Sequence, residues 1–335
     1  MIAGLLDRAV SGKIPLWGWG RMSCHVDVFL LMEHAVYVFN PERGTLYGTS
    51  QCAVTKALLC TILGLATPNR DSIRDVFWRS YLTHPHSDAV GTMGDVETHV
   101  RTFAGIYRGS RPLSSVLKIF NKIDRWITYD MRENCTTVNC NYSKTHKVMM
   151  HALVLPEIIM TEKGTREYET SLTHGVLRAL MQSSGVRQKC PECKDYTSLL
   201  RTKLVETITL PRRLAVALDS GGRLCNEDPP VSLDICDGRA YVLVGIAIRN
   251  SAHYRCNVRI GDGWYHYDDG GGSPKPVFFP ITSPSYVPFP SYKRRMLYYS
   301  LRSDAPVRGA QLRVPPWMAI RGGTEGDNCQ EELVE

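Results

Sequence analysis

The residues best suited to chemistry are an imidazole, a carboxylate and a thiol at distant places in the chain. The segment SAHYRCNVRIGDGWYHYDD, residues 251–269, alternates apolar and polar positions on either side of Gly261-Asp262-Gly263. Alternation of period two reads as strand, and a glycine-rich break between two such runs reads as a turn. The pattern predicts a hairpin with His253 at the start of one strand and Asp268 at the end of the other. A carboxylate beside an imidazole holds its tautomer and stabilises the imidazolium, which is what a general base needs when it takes a proton from a nucleophile. Hairpins also pair whatever lies across them, so the same two residues are compatible with a structural role. The candidate nucleophile is Cys24, which follows a glycine-rich approach and opens the apolar run CHVDVFLLMEHAVYVF. At a helix N-terminus the backbone N–H dipoles favour the thiolate. The alternative is a thiol simply buried where a helix starts.

A second set of residues has metal-ligand spacing. CTTVNC places Cys135 and Cys140 in a C-x4-C pair, and CPEC places Cys190 and Cys193 in a C-x2-C pair. Both spacings suit tetrahedral zinc–thiolate ligation, and close cysteine pairs on polar loops serve packing poorly. Four unrelated loop thiols are the alternative, and His146 is a substitute ligand to consider. The chain has eleven cysteines, an odd and high number. In a reducing compartment these are expected to be thiols, metal ligands or a nucleophile rather than disulfides. Cys52, Cys60 and Cys256 sit in apolar or alternating contexts and read as core residues. Cys225, Cys236 and Cys329 lie in loop-like or tail contexts and suggest no role.

Around these residues the chain changes character. After a lead-in rich in glycine, helices are expected from Cys24, over 51–65, over 71–83 with Asp71 as a cap, and over the amphipathic 112–128. Strands dominate later: HALVLPEI, LRTKLVETITLP, RRLAVALD, the buried run 239–248, the hairpin, and YKRRMLYYSLR as a final strand, with one helix over 169–184 among them. Helices first and strands later argue for an α+β architecture, a helical lobe beside an antiparallel sheet, with a cleft between lobes as the place for a site. The polar, acidic tail from about Gly322 is expected to be disordered. A hydrophobic content of 43% and a charged content of 22% are ordinary for a soluble globular protein. No apolar run approaches the roughly 20 residues of a membrane span. The net charge of +7 is dispersed and forms no basic block, so neither a membrane nor a nucleic acid is an expected partner. The first residues, MIAGLLDRAVSGK, meet Asp7 and Arg8 at once and lack the charged-then-apolar order of a secretory signal. An intracellular protein, cytoplasmic or nuclear, is expected.

Taken in order, these pieces resemble the ubiquitin-specific proteases, papain-like cysteine isopeptidases with thumb, fingers and palm. The resemblance runs over about residues 17–302. Cys24 starts a C-x-x-D-x-x-L segment similar to the family's Cys box. CxxxxC, LVLP, a helix and CPEC resemble the zinc-bearing fingers. LVETITLPRRLAVALD resembles the strand pair after the second zinc knuckle, AYVLVGIAI the strand before the His box, HYRCNVRIGDGWYHYDD the His box, and MLYYSL the closing strand. The resemblance implies a lead-in over 1–16, a catalytic domain over 17–302 (thumb about 20–130, fingers about 131–215, palm about 216–302) and a C-terminal extension over 303–335.

It also implies a monomeric isopeptidase that cleaves ubiquitin or a ubiquitin-like modifier from lysine after a Gly-Gly tail. Cys24 would be the nucleophile, His253 the base and Asp268 its orienter. Asp269 would lend polar support near the oxyanion, and a structural Zn²⁺ would sit on Cys135, Cys140, Cys190 and Cys193. Trp17 or Trp19 would wall the channel for the tail. The chain departs from the family pattern in four places. Asp27 replaces the usual Asn three residues after the nucleophile, a feature similar to the SUMO-directed ubiquitin-specific peptidase-like branch. Trp19 replaces the oxyanion Asn, Ala252 replaces the Gly before the His, and the first zinc pair is C-x4-C. A SUMO-directed isopeptidase, a catalytically inactive modifier-binding scaffold and a zinc-binding interaction protein are the competing readings.

Overall fold

Residues Cys24–Phe39 form α1, a 16-residue helix. Every described side chain from Cys24 to Val36 is buried. A helix that is apolar on nearly all sides cannot lie at a surface and becomes the centre of a core. Its first turn is set by Ser23, whose carbonyl accepts from the backbone N–H of Val26 and Asp27. The computed structural model describes residues 17, 23–39, 53–82, 127–150, 152–155, 158–160, 166–168, 171–181, 189–196, 198–218, 229–237, 239–250, 253–260, 263–268, 277–281, 295–301, 307–308 and 312.

Two further helices, α2 (Ala53–Gly64) and α3 (Arg70–Phe77), pack near α1, and α3 runs on into a π-helical turn, Trp78–Leu82. Asp71 does not cap α3. The helix starts at Arg70 after Asn69, and Asp71 lies in the first turn, 3.7 Å from Arg74. An acidic residue there complements the helix dipole without capping it. The expected helix over 112–128 falls outside the described residues, except that 127–128 begin a strand.

The strands, in chain order, are β1 (Ile127–Cys135), β2 (Ser143–Met150), β3 (Leu153–Leu155), β4 (Ile158–Met160), β5 (Arg166–Tyr168), β6 (Leu199–Leu210), β7 (Arg213–Leu218), β8 (Ser232–Cys236), β9 (Arg239–Asn250), β10 (His253–Ile260), β11 (Gly263–Asp268), β12 (Val277–Ile281), β13 (Arg295–Leu301) and β14 (Val307–Arg308); helix α4 (Leu172–Met181) precedes β6. The main sheet has the order β12-β11-β10-β9-β13-β7-β3, with β8 beside β9. It is antiparallel apart from the β3–β7 pair. A smaller sheet, β14-β6-β1-β2, projects its long β1–β2 hairpin, and β4-β5 form a ribbon. The fold is thus α+β, with helices and antiparallel sheet as expected.

Both faces of the central strands β7, β9 and β13 are buried, and on β7 and β9 the two faces differ in side-chain size. One face presents Ala215, Ala217, Ala247 and Gly245 to α1. A Cβ on Gly245 would lie 2.5 Å from Met32 Sδ, so the helix sits as close as a bare backbone permits. The other face presents Leu214, Val216, Leu218, Ile246, Ile248, Leu297 and Tyr299 to a second core shared with α4 and β1. This is why β9 reads as an unbroken apolar run rather than an alternating one. Two buried ion pairs pin α1: Asp27 to Arg74 of α3, and Glu33 to Arg213 of β7, where Tyr298 also donates to Glu33.

Strands β1, β2, β4, β5, β8, β12 and β14 were not expected. β12 contains Pro280, which a strand tolerates at the edge of a sheet, and β12 ends the main sheet. β13 is not the final strand, because Val307–Arg308 pairs with β6. Of the expected core thiols, Cys256 is buried but Cys60 is exposed, while the loop-like Cys236 is buried in β8 and bridges to Leu312. Among the described residues, no helix is long and apolar enough to cross a membrane.

Candidate active site and metal centre

The hairpin β10–β11 forms with Ile260 opposite Gly263 and Cys256 opposite Tyr267. Carrying that register one step on puts Arg255 opposite Asp268 and leaves His253 on the diagonal, on the same face of the sheet. Diagonal neighbours lie within reach of long or aromatic side chains. The His253 ring closes this gap: its Nε2 is 2.8 Å from Asp268 Oδ1. With Nε2 directed at the carboxylate, Nδ1 is the ring atom that can exchange a proton with a nucleophile. The other carboxylate oxygen, Oδ2, is 2.7 Å from Arg255 Nε. This is an ion-pair contact at short range; the Nε–H does not point along the line of a hydrogen bond. His253, Asp268 and Arg255 are each about a fifth to a quarter exposed. Deeper in the same ladder, His266 Nδ1 is 2.7 Å from Asn257 Oδ1. Burial above all holds the His266 imidazole below its ordinary value; Asp268 opposes that shift and Arg255 adds to it.

The other face of β10, with Tyr254, Cys256, Val258 and Ile260, packs in the α1 core, and two ring contacts, one from each face of the strand, fix their relative direction. The ring centroids of His25 and Tyr254 are 6.5 Å apart, and the Arg259 guanidinium is 5.3 Å from the Phe39 ring centroid. Helix and strand therefore run the same way, with their N-terminal ends together. That end carries Cys24 at the start of the helix and His253 at the start of the strand. The Cys24 thiol is only 2% exposed. Asp27, one turn further along α1, is fully buried: it accepts from Ser23 Oγ at 2.9 Å and meets Arg74 Nη1 at 3.1 and 3.3 Å. The neighbouring carboxylates of Asp27, Asp75 and Asp71 outweigh the burial of Arg74 and hold its guanidinium above the usual arginine range. Trp17 is fully buried within the α1 core, a packing residue rather than the wall of an open channel. Trp19, Ala252 and Asp269 lie outside the described residues. Arg255 was missed at the sequence level, although counting the register outward from the turn leads to it.

The four cysteines converge at the far end of the smaller sheet, where β1 ends and β6 begins. All four sulfurs lie within 4.8 Å of one another. Cys135 and Cys193 are 3.6 Å apart, and Cys140 and Cys190 3.7 Å. Four sulfurs at about 2.3 Å from one zinc would be about 3.8 Å apart at tetrahedral angles. The knuckles are built for this. Asn139 and Lys194, next to Cys140 and Cys193, take left-handed backbone with φ of 68° and 62°, which turns each loop sharply back on itself. The Thr137 N–H donates to Cys135 Sγ at 3.4 Å, and the Thr137 hydroxyl ties the first knuckle to Asp195 of the second at 2.8 Å.

The sulfurs cannot all ionise side by side. Ser198, and after it Thr137, bring the Cys135 thiol down to about 6. The Tyr142 backbone N–H favours the Cys140 thiolate, but desolvation and the sulfurs of Cys135, Cys190 and Cys193 outweigh it and push that thiol up to about 12. A soft cation resolves this conflict, and the donor set fits zinc. His146 is not part of the cluster; it lies on β2 opposite Met131.

No protein-family model matches the chain, and no curated protein matches it. Its fold does match solved structures. One is the Ubp8-Sgf11-Sgf73-Sus1 SAGA DUB module, with 15% identity, a TM-score of 0.52, and coverage of 89% of this chain and 69% of the other. Another is the SAGA Ubp8/Sgf11/Sus1/Sgf73 DUB module bound to ubiquitin aldehyde, with 14% identity, a TM-score of 0.51, and coverage of 87% and 70%. The chain has an α+β fold similar to that of these DUB-module structures.

Proposed function

We propose that the protein is a thiol isopeptidase that hydrolyses the bond after the Gly-Gly tail of conjugated ubiquitin. The observation that carries this reading is the His253 Nε2–Asp268 Oδ1 pair at the end of the sheet where α1 opens with Cys24. In this mechanism Asp268 holds the proton on Nε2, and Nδ1 accepts the Cys24 thiol proton. The thiolate attacks the scissile carbonyl, and the developing oxyanion is met by N–H groups at the start of α1, with Asp269 as polar support. The imidazolium gives its proton to the leaving lysine amine, leaving a thioester. Water, deprotonated by His253, then hydrolyses the thioester and restores the thiol. Cys135, Cys140, Cys190 and Cys193 would hold a zinc ion that would brace the fingers, and four thiolates would leave it no open position for water. The described cysteines are free thiols, which suits a cytoplasmic or nuclear protein.

Asp27 had pointed toward SUMO. Its carboxylate is fully buried against Arg74 and Ser23, where it serves the fold rather than the choice of modifier, so ubiquitin is the favoured substrate. The near-complete burial of Cys24 favours one second reading, a modifier-binding scaffold without turnover. Ubiquitin and SUMO propargylamide probes separate these. A ubiquitin adduct on Cys24, lost in Cys24→Ser and kept in Cys60→Ser, supports the isopeptidase. Binding without an adduct supports the scaffold, and an adduct with SUMO alone supports the SUMO-directed enzyme.

A further inference from the structure

We propose that Arg255 is a positioning residue for the His253–Asp268 pair, an inference that rests on the isopeptidase reading above. A carboxylate at the end of a strand turns readily about its last side-chain bond, because that torsion is broad and two-fold. Here both oxygens are engaged: Oδ1 faces His253 Nε2 at 2.8 Å, and Oδ2 faces Arg255 Nε at 2.7 Å. The register makes the second contact natural: the ladder ends at Cys256–Tyr267, and one step beyond it Arg255 faces Asp268 while His253 reaches it on the diagonal. Arg255 and His253 are two apart on one strand and point to the same side, so a single carboxylate bridges them. The bridge holds the carboxylate facing the imidazole, and so keeps the ring proton on Nε2.

The ring of His266, next along β11 on that face, is engaged with Asn257. The residue opposite Arg255 on β9 is Ile248, and the position opposite Asp268 on β12 is Val277, neither of which can be charged. The three side chains of the bridge are only about a fifth to a quarter exposed, so solvent screens the contact less than it would a surface ion pair. Because the contact is one of charge at short range rather than an aligned hydrogen bond, another cation at the position preserves part of it.

The test uses the full chain with its metal. Arg255→Met keeps the apolar stem and removes the charge; Arg255→Gln is the fallback if the Met variant does not fold, and Arg255→Lys is the conservative control. On a fluorogenic ubiquitin substrate, kcat should fall about tenfold in the Met variant with KM within about twofold, and the Lys variant should recover most of the loss. In an Asp268→Asn background the Met substitution should cost nothing further, since Arg255 acts through that carboxylate. ¹⁵N spectra of the His253 ring should show the Nε2–H tautomer in the parent and a mixture of tautomers in the Met variant. A Met variant with parental kcat and parental tautomer overturns the proposal, as does an equal loss in the Asp268→Asn background. The tautomer measurement needs no substrate. If the parent chain processes no ubiquitin substrate, the isopeptidase reading fails, while the tautomer shift still decides the role of Arg255.

Discussion

Replacing Arg74 with methionine should be among the most damaging single changes available near Cys24. The Arg74 and Asp27 side chains are 2% and 0% exposed, whereas the other carboxylates near Arg74, Asp71 and Asp75, are 44% and 33% exposed. Only the Asp27 contact is therefore fully withdrawn from water. The two outer pairs belong to the surface class, worth about 0–1 kcal/mol each. Removing one partner of a buried pair strands the other charge, at a cost of about 3–5 kcal/mol. Methionine fills much of the vacated volume, so the loss reports the stranded charge more than a cavity. The Ser23 hydroxyl remains as a donor to Asp27 but does not neutralise it. The assay is urea unfolding at pH 7, with the midpoint shift read at constant m. Arg74→Met should cost about 3–5 kcal/mol, and Asp27→Asn in the same chain should recover about half or more of that, because the amide carries no charge to strand. A loss below about 1 kcal/mol in the single variant, or no recovery in the double, refutes the reasoning.

Three further outcomes are expected. His253→Ala should abolish turnover nearly completely, whereas Asp268→Ala should cost about 10- to 1,000-fold, because it removes only orientation and imidazolium stabilisation; similar losses in both steady-state assays would contradict these roles. Purified protein should hold about one zinc per chain with Zn–S distances of about 2.3 Å by X-ray absorption, and Cys193→Ser should lower occupancy while leaving Cys24 reactive toward a small alkylating agent; metal content far below one per chain would refute the site. Burial draws the Lys203 ammonium down to about 8. Its folded value then lies below its unfolded one, the unfolded chain binds more protons between about pH 8 and pH 10, and stability should rise with pH across that window. Lys203→Met should flatten the rise in urea midpoints measured at the two ends, and an unchanged slope would count against the assignment.

What the sequence revealed was local. The β10–β11 hairpin is legible because strict alternation flanks a glycine turn, and the cysteine cluster because close cysteine pairs have few other uses. α1 is legible as a buried helix because its apolar run is longer than most strands. The pairing of Asp27 with Arg74, 47 positions apart, leaves no periodic trace, and neither does that of Glu33 with Arg213. Such contacts arise only once helix and sheet have docked. Asp27 accordingly read as a mark of modifier choice when its side chain is engaged in the core. Cys60 read as a core thiol because its neighbours in α2 are apolar, but helical phase turns it outward. β8 and β14 are too short to show a period, and Pro280 disguises β12. Arg255 needed no long-range knowledge: register counted from the turn places it across from Asp268, so a candidate base and its orienter should always be read together with the residue directly opposite.

The short strand β14 bears on how the chain can be cut. Val307–Arg308 covers Thr209 and Leu210, at the end of β6 where the smaller sheet meets the main one. Leu312, a few residues on, is buried and bridges to Cys236. A recombinant fragment trimmed at residue 302, just after β13, would lose both. The base of β6 would then become an open strand edge beside apolar residues, an invitation to pair with another molecule. Soluble fragments should therefore extend past Leu312, and a shorter one that precipitates would reveal a missing seam rather than a fault at the candidate site.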